Sequence, residues 1–173
     1  MFLDPSLMLS ISRRDDMMTK ILLEDERIEI NTKNSNGWTA VMFACKFGDA
    51  YLVSQLLEMG ASIENTDDQY SCNLCHIAIL AGSLEVIEVL KHSKIQWNMS
   101  DWQGDTPLHL AVLYDEPEIL KTLLQIKHIN IFTKNKQGLT AYETAMETGN
   151  WNAIKLFNDH VIKNNIVNKE IES

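Results

Sequence analysis

Cys72, Asn73, Leu74, Cys75 and His76 form the sharpest chemical signature in the chain. Two thiols separated by two residues and followed by a histidine are the attachment sequence of c-type haem, in which the thiols become thioethers and the imidazole ligates iron. The same pair of thiols could serve zinc or a dithiol–disulfide couple, but a structural zinc site needs a second ligand pair, and no other C-x-x-C occurs. Other chemistry is thinner still. No Ser/His/Asp order, paired acid, phosphate-cradling glycine loop or H-E-x-x-H is present, so no nucleophile or general base has a positioned partner. The chain therefore reads as a non-enzyme without metal or cofactor, the alternative being a metal, haem or redox protein built on Cys72, Cys75 and His76.

The elements that would have to position these side chains are short helices. Residues 101–124 show the pattern most clearly. Thr106 is a Ser/Thr-type N-cap, and Pro107 follows where a missing N–H costs nothing. Leu108, Leu110, Ala111 and Val112 supply one apolar face before Tyr114, Asp115 and Glu116 interrupt it, and Pro117 opens a second helix striped by Ile119, Leu120, Leu123 and Leu124. Two such helices bury too little by themselves, so the hairpin is stable only when copies stack.

Copies are present. Thr39, Asn73, Thr106 and Thr140 recur at spacings of 34, 33 and 34 residues, and Ala44, Ala78, Ala111 and Ala145 keep the same register, a methyl group there letting helix backbones approach closely. Gly48, Gly82, Asp115 and Gly149 mark the turn between helices, a position that calls for positive φ. Gly37, Gly104 and Gly138 mark the turn before the first helix. The second copy departs from this rule, with Tyr70 and Ser71 in place of glycine and a turn slipped by about one residue. The register also disposes of the haem signature: His76 falls on the position of His109, and Cys75 on the core position of Val41 and Leu108.

A period of about 33 residues headed by Thr106-Pro107-Leu108-His109, with Gly37-Trp38-Thr39-Ala40, Gly138-Leu139-Thr140-Ala141 and Leu56-Leu57-Glu58-Met59-Gly60-Ala61, resembles the ankyrin repeat over roughly residues 15–160. The resemblance implies an all-α solenoid of stacked helix-turn-helix units with short β-hairpin-like turns. Its divisions are a degenerate capping copy at 1–30, repeats at 31–67, 68–100 (divergent), 101–134 and 135–162, and a polar tail at 163–173, expected to fray. In the capping copy Leu7, Leu9 and Ile11 face inward from a first helix, and Met17, Met18, Ile21, Leu22 and Leu23 from a second. Trp151, Ile154, Phe157 and Val161 form the stripe of the last helix. His76 and His109 are implied to hydrogen-bond the backbone of adjacent repeats.

For function the resemblance implies docking of a protein partner on a concave face made of turn tips and the exposed ends of first helices. Transferred position by position, that face carries Trp38, Lys46, Phe47, Tyr70, Leu80, Trp102, Gln103, Asp105, Leu113 and Tyr114. Five of the thirteen aromatic residues fall on it, and aromatic side chains dominate the residues whose loss weakens interfaces. The other role open to Trp38 and Tyr70 is to cover neighbouring turns. Adaptor, inhibitor, assembly chaperone and effector inside a host cell are the roles compatible with such a face.

A net charge of −9 excludes a phosphate-binding surface and hence nucleic acid, and suits a partner with a basic face; acidity can equally serve solubility alone. No apolar run is long enough to span a membrane. The opening residues lack the basic flank of a signal peptide, and three cysteines without framework spacing suit a reducing compartment, cytoplasmic or nuclear. Without export, the sequon at Asn98 has no role. A monomer is expected.

Overall fold

The computed structural model describes residues 6–171, with side chains through Ile162. Residues 1–5 of the capping copy, residues 172–173 and the side chains of the 163–173 tail lie outside the described residues. Among the described residues ten helices follow one another: α1 (Ser6–Ser12), α2 (Asp16–Leu23), α3 (Ala40–Lys46), α4 (Ala50–Glu58), α5 (Leu74–Leu80), α6 (Leu84–Leu90), α7 (Pro107–Leu113), α8 (Pro117–Leu124), α9 (Ala141–Thr148) and α10 (Trp151–Ile171). Among the described residues the fold is otherwise turns, with one isolated antiparallel bridge between Lys134 and Thr140. The architecture is the all-α repeat class.

The chain divides into two compact units, Met1–Gln96 and Trp97–Ser173. In the first, α1/α2, α3/α4 and α5/α6 are hairpins; α1, α3 and α5 pack in a row, and α4 packs on α6. In the second, α7/α8 and α9/α10 are hairpins, with α7 on α9 and α8 on α10.

Caps and turns follow the repeat register. Thr39, Asn73, Thr106 and Thr140 are the N-caps of α3, α5, α7 and α9. The second helices of three hairpins begin on side chains that accept from their own first turn: Asp15 from the Met18 N–H, Asp49 from Leu52, both at 2.9 Å, and Ser83 from Val86 at 3.3 Å. Between the helices the left-handed residue is Gly48, Gly82, Asp115 and Gly149, at φ of 70°, 64°, 53° and 69°, and Arg14 at φ 54° does the same in the capping copy. The core is equally periodic. Ala44, Ala78, Ala111 and Ala145 are buried, as are Leu56, Leu90, Leu123 and Phe157, each large side chain contributing about 2 kcal/mol on burial.

Three expectations are corrected. In the capping copy Leu7, Met8 and Ile11 are buried, but Met17, Met18 and Ile21 of α2 are 78%, 45% and 52% exposed. Buried Thr19 faces α1, its hydroxyl donating to Ser10 Oγ at 2.9 Å, and Leu22 and Leu23 are half-buried, so Met17, Met18 and Ile21 are left outside. In α10 only Phe157 of the expected stripe is buried; Trp151 stands at the helix start and is 78% exposed, and Val161 is exposed as well. Finally, α10 continues to Ile171, because the stretch beyond Ile162 contains neither glycine nor proline to stop a helix already nucleated upstream.

Candidate functional site

The turns that open each repeat are built by one side chain. Asn34 Oδ1 accepts from the N–H groups of Asn36 (3.0 Å) and Trp38 (2.9 Å), and Asp101 Oδ1 from those of Gln103 (2.8 Å) and Asp105 (2.9 Å). Asn135 does the same for Gln137 and Leu139. In the divergent copy Asp67 takes this role, with Oδ1 accepting from Gln69 and Tyr70 and Oδ2 from Cys72. Here the slip is located. Asp67 lies four residues before the left-handed Ser71 (φ 55°), whereas Asn34, Asp101 and Asn135 lie three before Gly37, Gly104 and Gly138. Successive turns are joined by backbone, Asp68 N–H to the Asn36 carbonyl (3.1 Å) and Lys136 N–H to the Gln103 carbonyl (3.0 Å). A Cβ on Gly104 would lie 2.8 Å from Lys136 N, so glycine there answers both the positive φ and the approach of the next turn.

On this frame the first unit presents Trp38, Lys46, Phe47, Tyr70 and Leu80. Trp38 is half-buried, edge-on to Phe43 at a centroid distance of 5.3 Å, with Lys46 Nζ 5.5 Å above its ring. Phe47 is half-buried beneath the Arg14 guanidinium, 5.3 Å from its centroid. Two cation–aromatic pairs of about 0.5–1 kcal/mol each thus hold these rings in place. Tyr70 and Leu80 are exposed, and the Tyr70 hydroxyl accepts from Gln69 Nε2 at 2.8 Å.

In the second unit Trp102, Leu113 and Tyr114 are 49%, 45% and 56% exposed, and Gln103 is exposed beside Trp102. Asp105 is a correction to the expected face. It is buried, and its carboxylate accepts from Asn135 Nδ2 at 2.8 Å, tying one turn to the next. That bond and its burial make Asp105 structural, whereas Trp38, the residue after Gly37, is only half-buried. Phe132, Met146 and Trp151, which the sequence did not place on this face, are exposed as well; Trp151 and Leu113 line one cleft of about 410 Å³. A signal existed: Trp151 occupies the first position of a second helix, where Ala50, Leu84 and Pro117 stand in the other copies and none is buried.

The Cys72–His76 stretch has a different use. Cys72 caps the end of the turn with its N–H on Asp67, Asn73 is an N-cap, and Cys75 and His76 are fully buried. His76 Nδ1 accepts from the Asn73 N–H at 3.2 Å, closing the first turn of α5 on itself. Burial pushes the Cys75 thiol well above its ordinary range, with nearby Cys45 adding to the effect, and Cys45 itself is pushed up to about 12 by burial. Side chains packed this way are core, and a haem or metal would have to displace it.

His109 shows what the histidine position does. Its Nδ1 accepts from the Thr106 N–H (3.2 Å) and lies 2.8 Å from the Thr106 hydroxyl, so Nε2 carries the proton and donates to the Leu139 carbonyl at 3.0 Å in the next turn. Glu143 replaces histidine in the last copy. Its carboxylate accepts from the Thr140 N–H (2.8 Å) and hydroxyl (3.0 Å), and these bonds hold its pKa below the ordinary value, with Lys134 a smaller cause. Asn98 is committed as well, Nδ2 donating to the His128 carbonyl and Oδ1 accepting from the Asn130 N–H, which gives the sequon residue a structural role.

Comparison with known proteins agrees with this geometry. A family model described as ankyrin repeats (3 copies) matches residues 7–101 and 76–168. An ankyrin repeat protein of fowlpox virus (strain NVSL), FPV031, is 29% identical over 164 residues, covering 91% of this chain and 48% of its own length. A second fowlpox virus ankyrin repeat protein, FPV223, is 28% identical over 137 residues, 79% of this chain and 94% of its own. The human transient receptor potential cation channel subfamily A member 1 is 29% identical over 126 residues, 68% of this chain and 11% of its own. This chain thus spans about half of the first of these relatives and about a tenth of the channel.

Proposed function

The chain belongs to the ankyrin-repeat family, and we propose that it is a non-catalytic docking module whose protein partner seats on the turn tips and first-helix ends of its units. Ankyrin repeats are protein–protein interaction modules; the finer assignment is to Trp38, Lys46, Phe47, Tyr70 and Leu80 in the first unit and Trp102, Gln103, Leu113 and Tyr114 in the second. The observation that carries it is the exposure of Trp102 and Tyr114, large rings that are 49% and 56% exposed. Such rings contribute affinity at low entropic cost when the frame beneath them is rigid, and within each unit adjacent turns are hydrogen-bonded to one another. The net charge of −9 favours a partner with a basic surface, and three buried thiols suit work in a reducing compartment. Such a module acts by covering or bridging other proteins, as an adaptor, inhibitor or assembly chaperone.

The test is an interaction screen by cross-linking and mass spectrometry with wild-type protein, repeated with Trp102→Ala and Tyr114→Ala. Partners should be lost by more than about tenfold in affinity while thermal melting stays within a few degrees. Loss of fold in step with loss of binding would refute the assignment.

A further inference from the structure

We propose a second docking surface, a groove between α2 and α4 of the first unit that takes a basic amphipathic helix. Along the row of second helices α4 packs on α6, whereas α2 and α4 make a lesser contact and flank a groove of about 530 Å³. One wall is Tyr51 and Gln55 of α4 with its C-cap Met59 and the other Asp16 and Lys20 of α2 with its C-cap Glu24, each a row of residues spaced by four. Rows of that length run for two helical turns, about 12 Å, which is the footprint of a helix and too long for a single side chain.

Two features specify the occupant. The first is apolar surface in the groove itself: among its lining Tyr51 and Met59 are 75% and 42% exposed, with Leu23 half-buried beside them. Methionine and tyrosine adapt to apolar side chains of varied shape, so a helix presenting leucine-like residues at successive turns fits. The second is charge. Asp16, Glu24 and Asp49 line the groove against the single ammonium of Lys20, so the flanks of the incoming helix should be cationic. An acidic helix would meet three carboxylates as it desolvated them. This surface uses none of the residues assigned to the first docking face, and its failure would leave that assignment standing.

A fluorescein-labelled Leu/Lys peptide about 14 residues long, with leucines at successive helical turns, is the probe, and its Leu/Glu counterpart the control. By fluorescence anisotropy the basic peptide should bind and the acidic one should not. Glu24→Lys should weaken binding at least about tenfold, while Glu118→Lys on α8, which changes net charge equally, should weaken it less than about twofold. Tyr51→Glu is the sharper arm. It makes the protein more acidic, so adherence by charge alone would strengthen, whereas docking in the groove predicts a loss of at least about tenfold. Equal effects of the two charge reversals, or tighter binding by Tyr51→Glu, would overturn the proposal. So would self-association of unlabelled protein in the ultracentrifuge that Tyr51→Glu abolishes, since the groove would then belong to a second copy.

Discussion

Thr39 and Met42 stand in the relation that Thr106 and His109 hold in the third repeat, an N-cap hydroxyl and the side chain three residues on, but a thioether replaces the imidazole and Thr39 Oγ1 is buried without a hydrogen-bond partner. Asn73 with His76 and Thr140 with Glu143 close the same box in the other copies. The first repeat therefore carries the desolvation cost of a hydroxyl that its sisters recover.

Replacing that hydroxyl by a methyl should be neutral or stabilising. Thr39→Val removes an unsatisfied buried group at constant shape, with an expected change between zero and about 2 kcal/mol in favour of folding. Thr106→Val, which breaks a satisfied box, should cost about 1–2 kcal/mol. Urea melts of both variants check the pair, and a loss in Thr39→Val as large as in Thr106→Val would show that the Thr39 hydroxyl is satisfied in solution.

The two left-handed turn residues Ser71 and Gly104 should respond in opposite directions. An L-residue at positive φ costs about 1–2 kcal/mol, and glycine costs about 0.5–1 kcal/mol in extra unfolded-state freedom. Ser71→Gly should therefore stabilise by about 0.5 kcal/mol. Gly104→Ala combines φ 83° with the approach of Lys136 N and should lose at least about 2 kcal/mol. Denaturant midpoints that move together would contradict this.

Glu143 makes part of the stability pH-dependent. Its folded-state pKa lies below the ordinary carboxylate value because the Thr140 N–H and hydroxyl donate to the charged form. A lowered pKa stabilises the fold fully above the unfolded-state value, about 4.3, and that contribution is lost as pH falls through the folded-state value. The stability difference between wild type and Glu143→Gln should be constant from neutral pH down to about 5 and shrink below it. Chemical denaturation across that range measures it, and a gap that widens in acid would reverse the sign assigned.

The thiols of Cys45 and Cys75 should be inert in the folded protein. With Cys45 pushed up to about 12 by burial, and Cys75 raised well above its ordinary range by burial and by its neighbour Cys45, the thiolate is scarce at pH 8 and sterically closed. Iodoacetamide should label both only in denaturant. Rapid labelling of the native protein would reopen the redox reading of Cys72, Cys75 and His76.

Trp151 and Phe157 lie on one helix and should separate cleanly. Phe157→Ala should cost about 3–5 kcal/mol, and Trp151→Ala should stay within about 0.5 kcal/mol while weakening a partner that reaches the cleft beside Leu113. Calorimetry with a binding assay on the same samples distinguishes the two.

What the amino-acid order determined by itself is the register. Thr39, Asn73, Thr106 and Thr140 begin helices, and Gly48, Gly82, Asp115 and Gly149 turn left-handed, because caps and positive φ are satisfied within a few residues of chain and need no knowledge of what packs nearby. The same register removed Cys75 and His76 from candidate chemistry before any geometry was available. Which surfaces stay open was decided only by the tertiary structure. Periodicity marks an apolar stripe but not whether a neighbour covers it, so Met17, Ile21 and Trp151 read as core and prove exposed, while Asp105, three residues from exposed Trp102, turns inward to bond Asn135 of the next turn. Burial depends on elements distant in sequence, and that is why the docking surfaces had to wait for the fold.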